Sequence, residues 1–296
     1  MKLLCHVFTT LDCNLNCGFC YVDANRKLEN NENRLVEIAN YLNQKSVAFI
    51  HLEGGEPFIN DNIFDFITVS RHNNITSIVT NATCITKARI QRAMTYGVNK
   101  YIVSVDGLEK VHNMLRQREC FCKVLDAVKM LIDIGADVAI SMTLVRDNIS
   151  QMKKVVEYFS QVGIKKFRFG DVLSLGRTEN NAAQYCLDED AYAEVLEEYL
   201  DIVAKYELDL NLSIKGSYEV RSSAVNLHKN NYSCSNDGAQ IAFLFNGDAY
   251  SCSNMICYDE YYVGNVSEKE KIDKHIQEKK LKRCIIDCKG HLSIAP

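Results

Sequence analysis

Leu11-Asp12-Cys13-Asn14-Leu15-Asn16-Cys17-Gly18-Phe19-Cys20-Tyr21 carries three cysteines in a C-x3-C-x2-C spacing, directly after a short apolar run from Leu3 to Phe8. A strand that ends there delivers a loop able to turn back twice and aim three thiolates at one place. Thiolate sulfur selects zinc, copper(I) or iron–sulfur clusters. Four-iron clusters normally take four cysteines, so three from one loop would leave one iron without a protein ligand. An iron exposed in that way is a place for a substrate or cofactor to bind, and it points to an enzyme. A zinc site completed by His6 or His51 is the alternative, although zinc knuckles usually pair a C-x2-C with a second pair downstream. The 13 cysteines of this 296-residue chain are an odd number in a chain far larger than a disulfide-stapled mini-domain.

Size and composition narrow the classes further. The length suits one large α/β domain with a small appendage, and a hydrophobic content of 47% is that of an ordinary packed core. A net charge of −4 without a basic stripe argues against nucleic acid as a partner. Met1 to Phe8 is too short and too quickly polar for a signal peptide, and no apolar run is long enough to span a membrane. With so many cysteines and no export signal, a reducing cytoplasm is the expected location.

Apolar runs alternate with amphipathic stretches along the chain. Strands are predicted at Leu3–Thr9, Ala48–Leu52, Ser77–Thr80, Tyr101–Val105, Asp137–Thr143 and Lys166–Phe169. Helices are predicted near Arg34–Gln44, Ile63–Arg71, Lys87–Tyr96, Lys123–Ile134, Ser150–Val162 and Glu189–Lys205, the last capped by Asp188. Consecutive β/α units imply a parallel sheet with right-handed crossovers. Six strands are too few for a closed eightfold barrel, so the expected fold class is α/β, a partial (β/α)6 barrel with a small C-terminal domain. Such sheets bind ligands beyond the carboxyl ends of their strands, which is where the cysteine loop falls.

The cysteine loop, with the aromatic Phe19 just before its third cysteine, resembles the signature of the radical S-adenosylmethionine (SAM) superfamily. The segment His51-Leu52-Glu53-Gly54-Gly55-Glu56-Pro57 is similar to that family's GGEP motif. The resemblance implies a cluster on Cys13, Cys17 and Cys20 whose open iron is chelated by SAM. It also implies reductive cleavage to a 5′-deoxyadenosyl radical that abstracts a substrate hydrogen. Gly54, Gly55 and Glu56 would belong to the SAM-binding segment, since glycine lets backbone approach a ligand closely. Ser104-Val105-Asp106-Gly107 with His112 and Arg116 resembles the S-x-D-G…H…R pattern of peptide-modifying members. By that resemblance Ser104 meets the ribose region and Arg116 the SAM carboxylate, which a guanidinium fork suits. Asp106 would bind ribose or cap the following turn. The backbone beside Phe19 would meet adenine, and the segment from Val172 to Arg177 suggests Leu175 as an adenine contact.

A second cysteine group lies at the C-terminus. Asn246-Gly247 marks a hairpin turn, and Cys234, Gly247 and Cys252 form a C-x12-G-x4-C arrangement. This looks like the opening of the SPASM and twitch domains of the same superfamily. Cys284 and Cys288 follow without the further cysteine run of a full SPASM domain, so the tail fits the shorter twitch type. The resemblance implies an auxiliary four-iron cluster on Cys234, Cys252, Cys284 and Cys288, with Cys257 as a substitute ligand; structural zinc on four thiolates is the alternative. The expected division is residues 1–207 for the radical SAM core and 208–296 for the twitch-like tail. Cys5 and Cys84 read as buried small hydrophobes, and Cys186 or Cys257 are candidates for returning a hydrogen atom to a substrate radical.

The leading expectation is modification of a ribosomally synthesised peptide by crosslink, thioether or epimerisation, with flavodoxin or ferredoxin as electron donor. No separate peptide-recognition domain is read before residue 1, which weighs against it. The runner-up is an enzyme acting on a small molecule such as a sugar or aminocyclitol, and a zinc-stabilised binding protein is a third. The lack of a C-terminal diglycine lowers the expectation of a molybdenum-cofactor synthase.

Overall fold

Seven parallel strands in chain order form the centre of the sheet, each but the last crossing to the next through a helical connection. The computed structural model describes residues 3–70, 75–215, 240–278 and 291–294. The strands β1 (Leu3–Phe8), β2 (Val47–Glu53), β3 (Ile75–Thr80), β4 (Lys100–Ser104), β5 (Asp137–Leu144) and β6 (Lys166–Asp171) lie where the sequence predicts them. Between them run α1 (Leu35–Leu42), α2 (Ile63–Val69), α3 (Lys87–Thr95), α4 (Glu109–Arg116), α5 (Phe121–Asp133) and α6 (Met152–Val162). After β6 come the short α7 (Ala182–Tyr185), the long α8 (Glu189–Lys205) and β7 (Asp209–Lys215). Among the elements that the structure adds to the sequence reading are α4, whose run of polar residues hides a buried face of His112, Asn113 and Leu115, and β7, which pairs in parallel with β6.

The architecture is the expected α/β partial barrel. The tail then joins the same sheet. Its strands β8 (Gln240–Leu244), β9 (Asp248–Tyr250) and β10 (Tyr262–Asn265) precede α9 (Lys269–Glu278) and β11 (His291–Ile294). The order is β10-β9-β8-β1-β2-β3-β4-β5-β6-β7-β11. β8 pairs in parallel with β1, from Leu4 opposite Gln240 to Phe8 opposite Leu244, and β11 lies antiparallel to β7. The strand that delivers the cysteine loop is therefore hydrogen-bonded on both edges, which restrains the loop's root.

Side chains alternate sharply along these strands. One face (Cys5, Val7, Ile50, Leu52, Tyr101, Val103, Ile140, Phe167) is buried with the helices in the main core. Strands covered on both sides normally read as continuous apolar runs; here the opposite face holds His6, His51, Ser104, Ser141 and Arg168, which are partly exposed. α6, within the helix predicted near Ser150–Val162, buries Met152, Val155, Val156 and Phe159 along one stripe. Asp188 caps α8 by accepting from the Ala191 N–H at 3.0 Å. Among the described residues no helix is long and apolar enough to cross a membrane.

Candidate cofactor and metal site

At the carboxyl ends of the parallel strands lies a cavity of about 440 Å³. Cys13, Cys17, Phe19 and Cys20 of the loop after β1 form one wall. Glu53, Gly54 and Gly55 close a second side, and Ser104 with Arg116 a third. Asn254, from the tail, also reaches the cavity.

The loop's shape is imposed by its neighbours. The Gly55 N–H donates to the Thr10 carbonyl at 2.9 Å and the Glu56 N–H to the Asp12 carbonyl at 2.8 Å. A Cβ on Gly55 would lie 2.2 Å from the Asp12 carbonyl oxygen, and one on Gly54, where φ is +150°, 2.2 Å from that of Thr10. Both residues are thus glycine because the cysteine loop's backbone presses on them. The sequence reading assigned that close approach to a ligand; both glycines do line the cavity, but the collision a side chain would cause is with the loop. From β3's end, Asn81 Nδ2 reaches Asn14 Oδ1 at 3.1 Å and Cys13 Sγ at 3.8 Å. Each thiol also accepts an N–H: Cys13 from Leu15 and Cys20 from Ala24, both at 3.4 Å, and Cys17 from Arg116 at 3.8 Å.

Burial and mutual repulsion oppose a bare set of thiolates. Burial pushes the Cys13 thiol up to about 11, with the charges of Glu56, Cys17 and Cys20 adding to it and the Leu15 N–H working against. Burial also raises Cys17, against the pull of Arg116. Three anionic sulfurs here call for a cationic partner, which a metal centre supplies.

Two acids stand behind this wall. Glu56 is fully buried and accepts from Thr80 Oγ1 at 2.6 Å, the Asn81 N–H at 2.7 Å and the Phe58 N–H at 3.1 Å. Burial raises its pKa despite those donors. Asp106, equally buried, accepts from the Thr143 N–H at 2.9 Å and pairs with Arg116, whose Nε sits 2.5 Å from Oδ2 as an ion pair without hydrogen-bond alignment. Burial works against the Arg116 charge, but Asp106 and then Cys17 outweigh it, so the guanidinium is held firmly protonated. His112 accepts the Asp106 N–H on Nδ1 at 3.2 Å, which leaves its proton on Nε2, 3.5 Å from Cys120 Sγ. Burial first, and Arg116 second, bring its pKa down to about 4. His112 therefore positions the turn after β4.

Residues 7–181 match the profile of the Radical SAM superfamily. The chain belongs to the radical SAM superfamily. The sporulation killing factor maturation protein SkfB of Bacillus subtilis is 24% identical over 200 residues, covering 66% of this chain and 48% of that protein. Pre-heme d1 synthase of Dinoroseobacter shibae is 23% identical over 180 residues, covering 59% of this chain and 45% of its own. Streptococcus suis SuiB bound to its precursor peptide SuiA superposes with a TM-score of 0.75 at 18% identity, over 98% of this chain and 70% of that one. The chain spans about half the length of the curated relatives it matches.

Within this radical SAM fold, the residues singled out in the sequence divide into three groups. Cys13, Cys17, Cys20, Phe19, Gly54, Gly55, Ser104 and Arg116 share the cavity. Glu56, Asp106 and Leu175 lie outside its lining. The two acids are fully engaged in holding the corners, and Leu175 packs with Phe8, Leu11 and Val22 in a separate apolar cluster. That cluster also takes in Cys252 and Cys257, while Cys186 packs beside Phe19 and Tyr185; none of the three lines the cavity. Cys234, Cys284 and Cys288 fall outside the described residues. His6 and His51 are engaged elsewhere, with Glu53 and Ser77 respectively. Among the described residues no three His, Cys, Asp or Glu side chains gather around a single ion position. A cluster asks less of its ligands, because each thiolate takes a different iron. Thiol donors, N–H groups aimed at sulfur and an adjacent buried guanidinium fit that group.

Sequence reasoning missed Tyr21, Asn81 and Arg177 in the cavity wall. Tyr21 donates to Glu53 Oε2 at 3.3 Å, and Glu53 meets His6 at 2.5 Å through its other oxygen. None of the three lies on a strand, so alternation along the strands carried no signal for them.

Proposed function

We propose that this chain is a radical SAM enzyme that modifies a ribosomally synthesised peptide, by crosslink, thioether formation or epimerisation. One observation carries it: the three loop thiols, the Gly54–Gly55 backbone and the Arg116 guanidinium line the same cavity. Cys13, Cys17 and Cys20 would hold a four-iron cluster, and Arg116, with Ser104 beside it, would receive the carboxylate and ribose of SAM. Bound there, cluster and SAM supply the radical that takes a hydrogen atom from substrate. The protein's own part is to orient, to exclude water and to hold the Arg116 guanidinium in place through its ion pair with Asp106. An electron donor such as flavodoxin or ferredoxin would serve the cluster. The tail, residues 208–296, would carry an auxiliary cluster on Cys234, Cys252, Cys284 and Cys288.

The name of SkfB as a maturation protein and SuiB's capture with a precursor peptide support a peptide substrate. Pre-heme d1 synthase among the relatives favours a second reading, a small-molecule substrate. Changing Cys13, Cys17 and Cys20 together to alanine should abolish SAM cleavage in anaerobically reconstituted protein while iron in the tail persists. Retained cleavage would refute the assignment. Incubating active protein with the product of a short gene beside its own, then weighing the peptide by mass spectrometry, separates the two substrate classes.

A further inference from the structure

The cysteine loop is also gripped by a turn more than a hundred and fifty residues further along the chain, whose Arg177 is part of the cavity wall. Arg177 donates from Nη1 to the Cys17 carbonyl at 3.1 Å, from Nη2 to the Ala24 carbonyl, and from Nε to Asp23 Oδ1 at 2.9 Å. Its own N–H donates to the Cys20 carbonyl at 3.1 Å. Gly176 makes this approach feasible: with φ at +57°, a Cβ there would sit 2.4 Å from the Tyr21 carbonyl oxygen. The turn is itself stiff. Thr178 Oγ1 accepts the Leu175 N–H at 3.0 Å, and its one proton lies within reach of both the Leu173 and the Leu175 carbonyl. Tyr258 of the tail accepts the Gly176 N–H at 3.2 Å and contacts Glu179.

We propose that Arg177 is the positioning residue that holds the Cys17–Ala24 segment in its ligating shape, with the 175–179 turn as a bracket between that loop and the tail. An irregular loop has no repeating ladder to satisfy its carbonyls, and those inside the fold need partners. A planar guanidinium with several donors in fixed directions can serve two carbonyls and a carboxylate at spread positions, whereas an ammonium offers its three donors from a single nitrogen. Groups that orient metal ligands from behind govern how tightly the metal is kept. Arg177 touches no sulfur among the described contacts, so its effect is on ligand placement. The inference rests on the cluster assignment made above and extends it to a residue that holds no metal.

The test compares wild type, Arg177→Lys and Arg177→Ala after anaerobic reconstitution. The readouts are the electron paramagnetic resonance signal that changes on adding SAM, iron loss to a chelator, and far-ultraviolet circular dichroism. Arg177→Ala should keep the wild-type dichroism, lose most of the SAM-responsive signal and release that iron about ten-fold faster. Arg177→Lys should fall between the two. Wild type with the signal and Arg177→Ala indistinguishable from it overturns the clamp alone. Signal loss that merely tracks a loss of dichroism in both variants overturns it too. Wild type without any SAM-responsive signal sinks the cluster assignment and the clamp together.

Discussion

The corner after β2 and the corner after β4 each bury a carboxylate beside the same cavity, yet the two acids do opposite things. Glu56, in the first, meets only neutral donors: a hydroxyl and two backbone N–H groups. It ties the GGEP segment to the end of β3 and so braces the cysteine loop from behind. Asp106, in the second, faces a guanidinium and supplies the counter-charge that holds this buried cation at the cavity wall. One buried acid organises backbone, whereas the other organises charge. The difference shows that a motif's most conspicuous acid need not touch the ligand to serve its binding.

Breaking the charge pair should have the largest effect. Asp106→Asn keeps an oxygen for the Thr143 N–H but leaves Arg116 buried without a counter-charge, a loss of about 3–5 kcal/mol in urea unfolding. SAM affinity, read by equilibrium dialysis of reconstituted protein, should fall with it. If Asp106→Asn proves no more damaging than the matching change at Glu56, the contrast between the corners is wrong.

Acid should sharpen the contrast. His112, in the β4 corner, has a folded pKa near 4, below its ordinary unfolded value of about 6.5. Its stabilising term is therefore complete above the unfolded value and lost as pH falls toward 4, by about 3 kcal/mol in all. Glu56 runs the other way: its raised pKa means that the cost of burying its charge disappears as pH falls through the folded value. His51 is also lowered to about 4, so the informative readout is the difference between wild type and His112→Gln. The variant should lose part of the acid-side slope between pH 6.5 and 4 in denaturant titrations. Parallel slopes would remove His112 from the account.

The smallest expected effect is at Glu56. Glu56→Gln sets an amide N–H₂ against either the Asn81 N–H or the Phe58 N–H, costing about 1–3 kcal/mol through one unsatisfied buried donor. Because that damage falls on the brace behind the cysteine loop, iron retention should drop more than SAM affinity does. A variant that keeps its iron but loses SAM would place Glu56 at the ligand after all.

Much of this was legible in the chain before folding. Six strands and the long helix capped by Asp188 followed from period and punctuation, because alternation and capping are local properties. The seventh strand, β7, and the polar-looking α4 escaped that reading; α4's buried face, His112 and Asn113 included, becomes apparent only when packed. Among the site residues, the cysteine loop, Gly54, Gly55, Ser104 and Arg116 were found through motif and reach the cavity together. Glu56, Asp106 and Leu175 were found by the same motifs and turned out to support the walls from outside the cavity's lining.

Sequence by itself determined the chemistry on offer: three thiols at C-x3-C-x2-C spacing, delivered by a strand, with glycines and an arginine in later segments. Only the tertiary structure decided what those groups press against. That Gly55 yields to Asp12 rather than to a ligand, that Arg177 grips Cys17 from 160 residues away, and that β8 seals the free edge of β1 are all facts of long-range approach. Spacing along a chain sets what a short segment can do alone. Which two distant backbones come within hydrogen-bonding distance depends on how every element between them packs, and no local window of sequence contains that information.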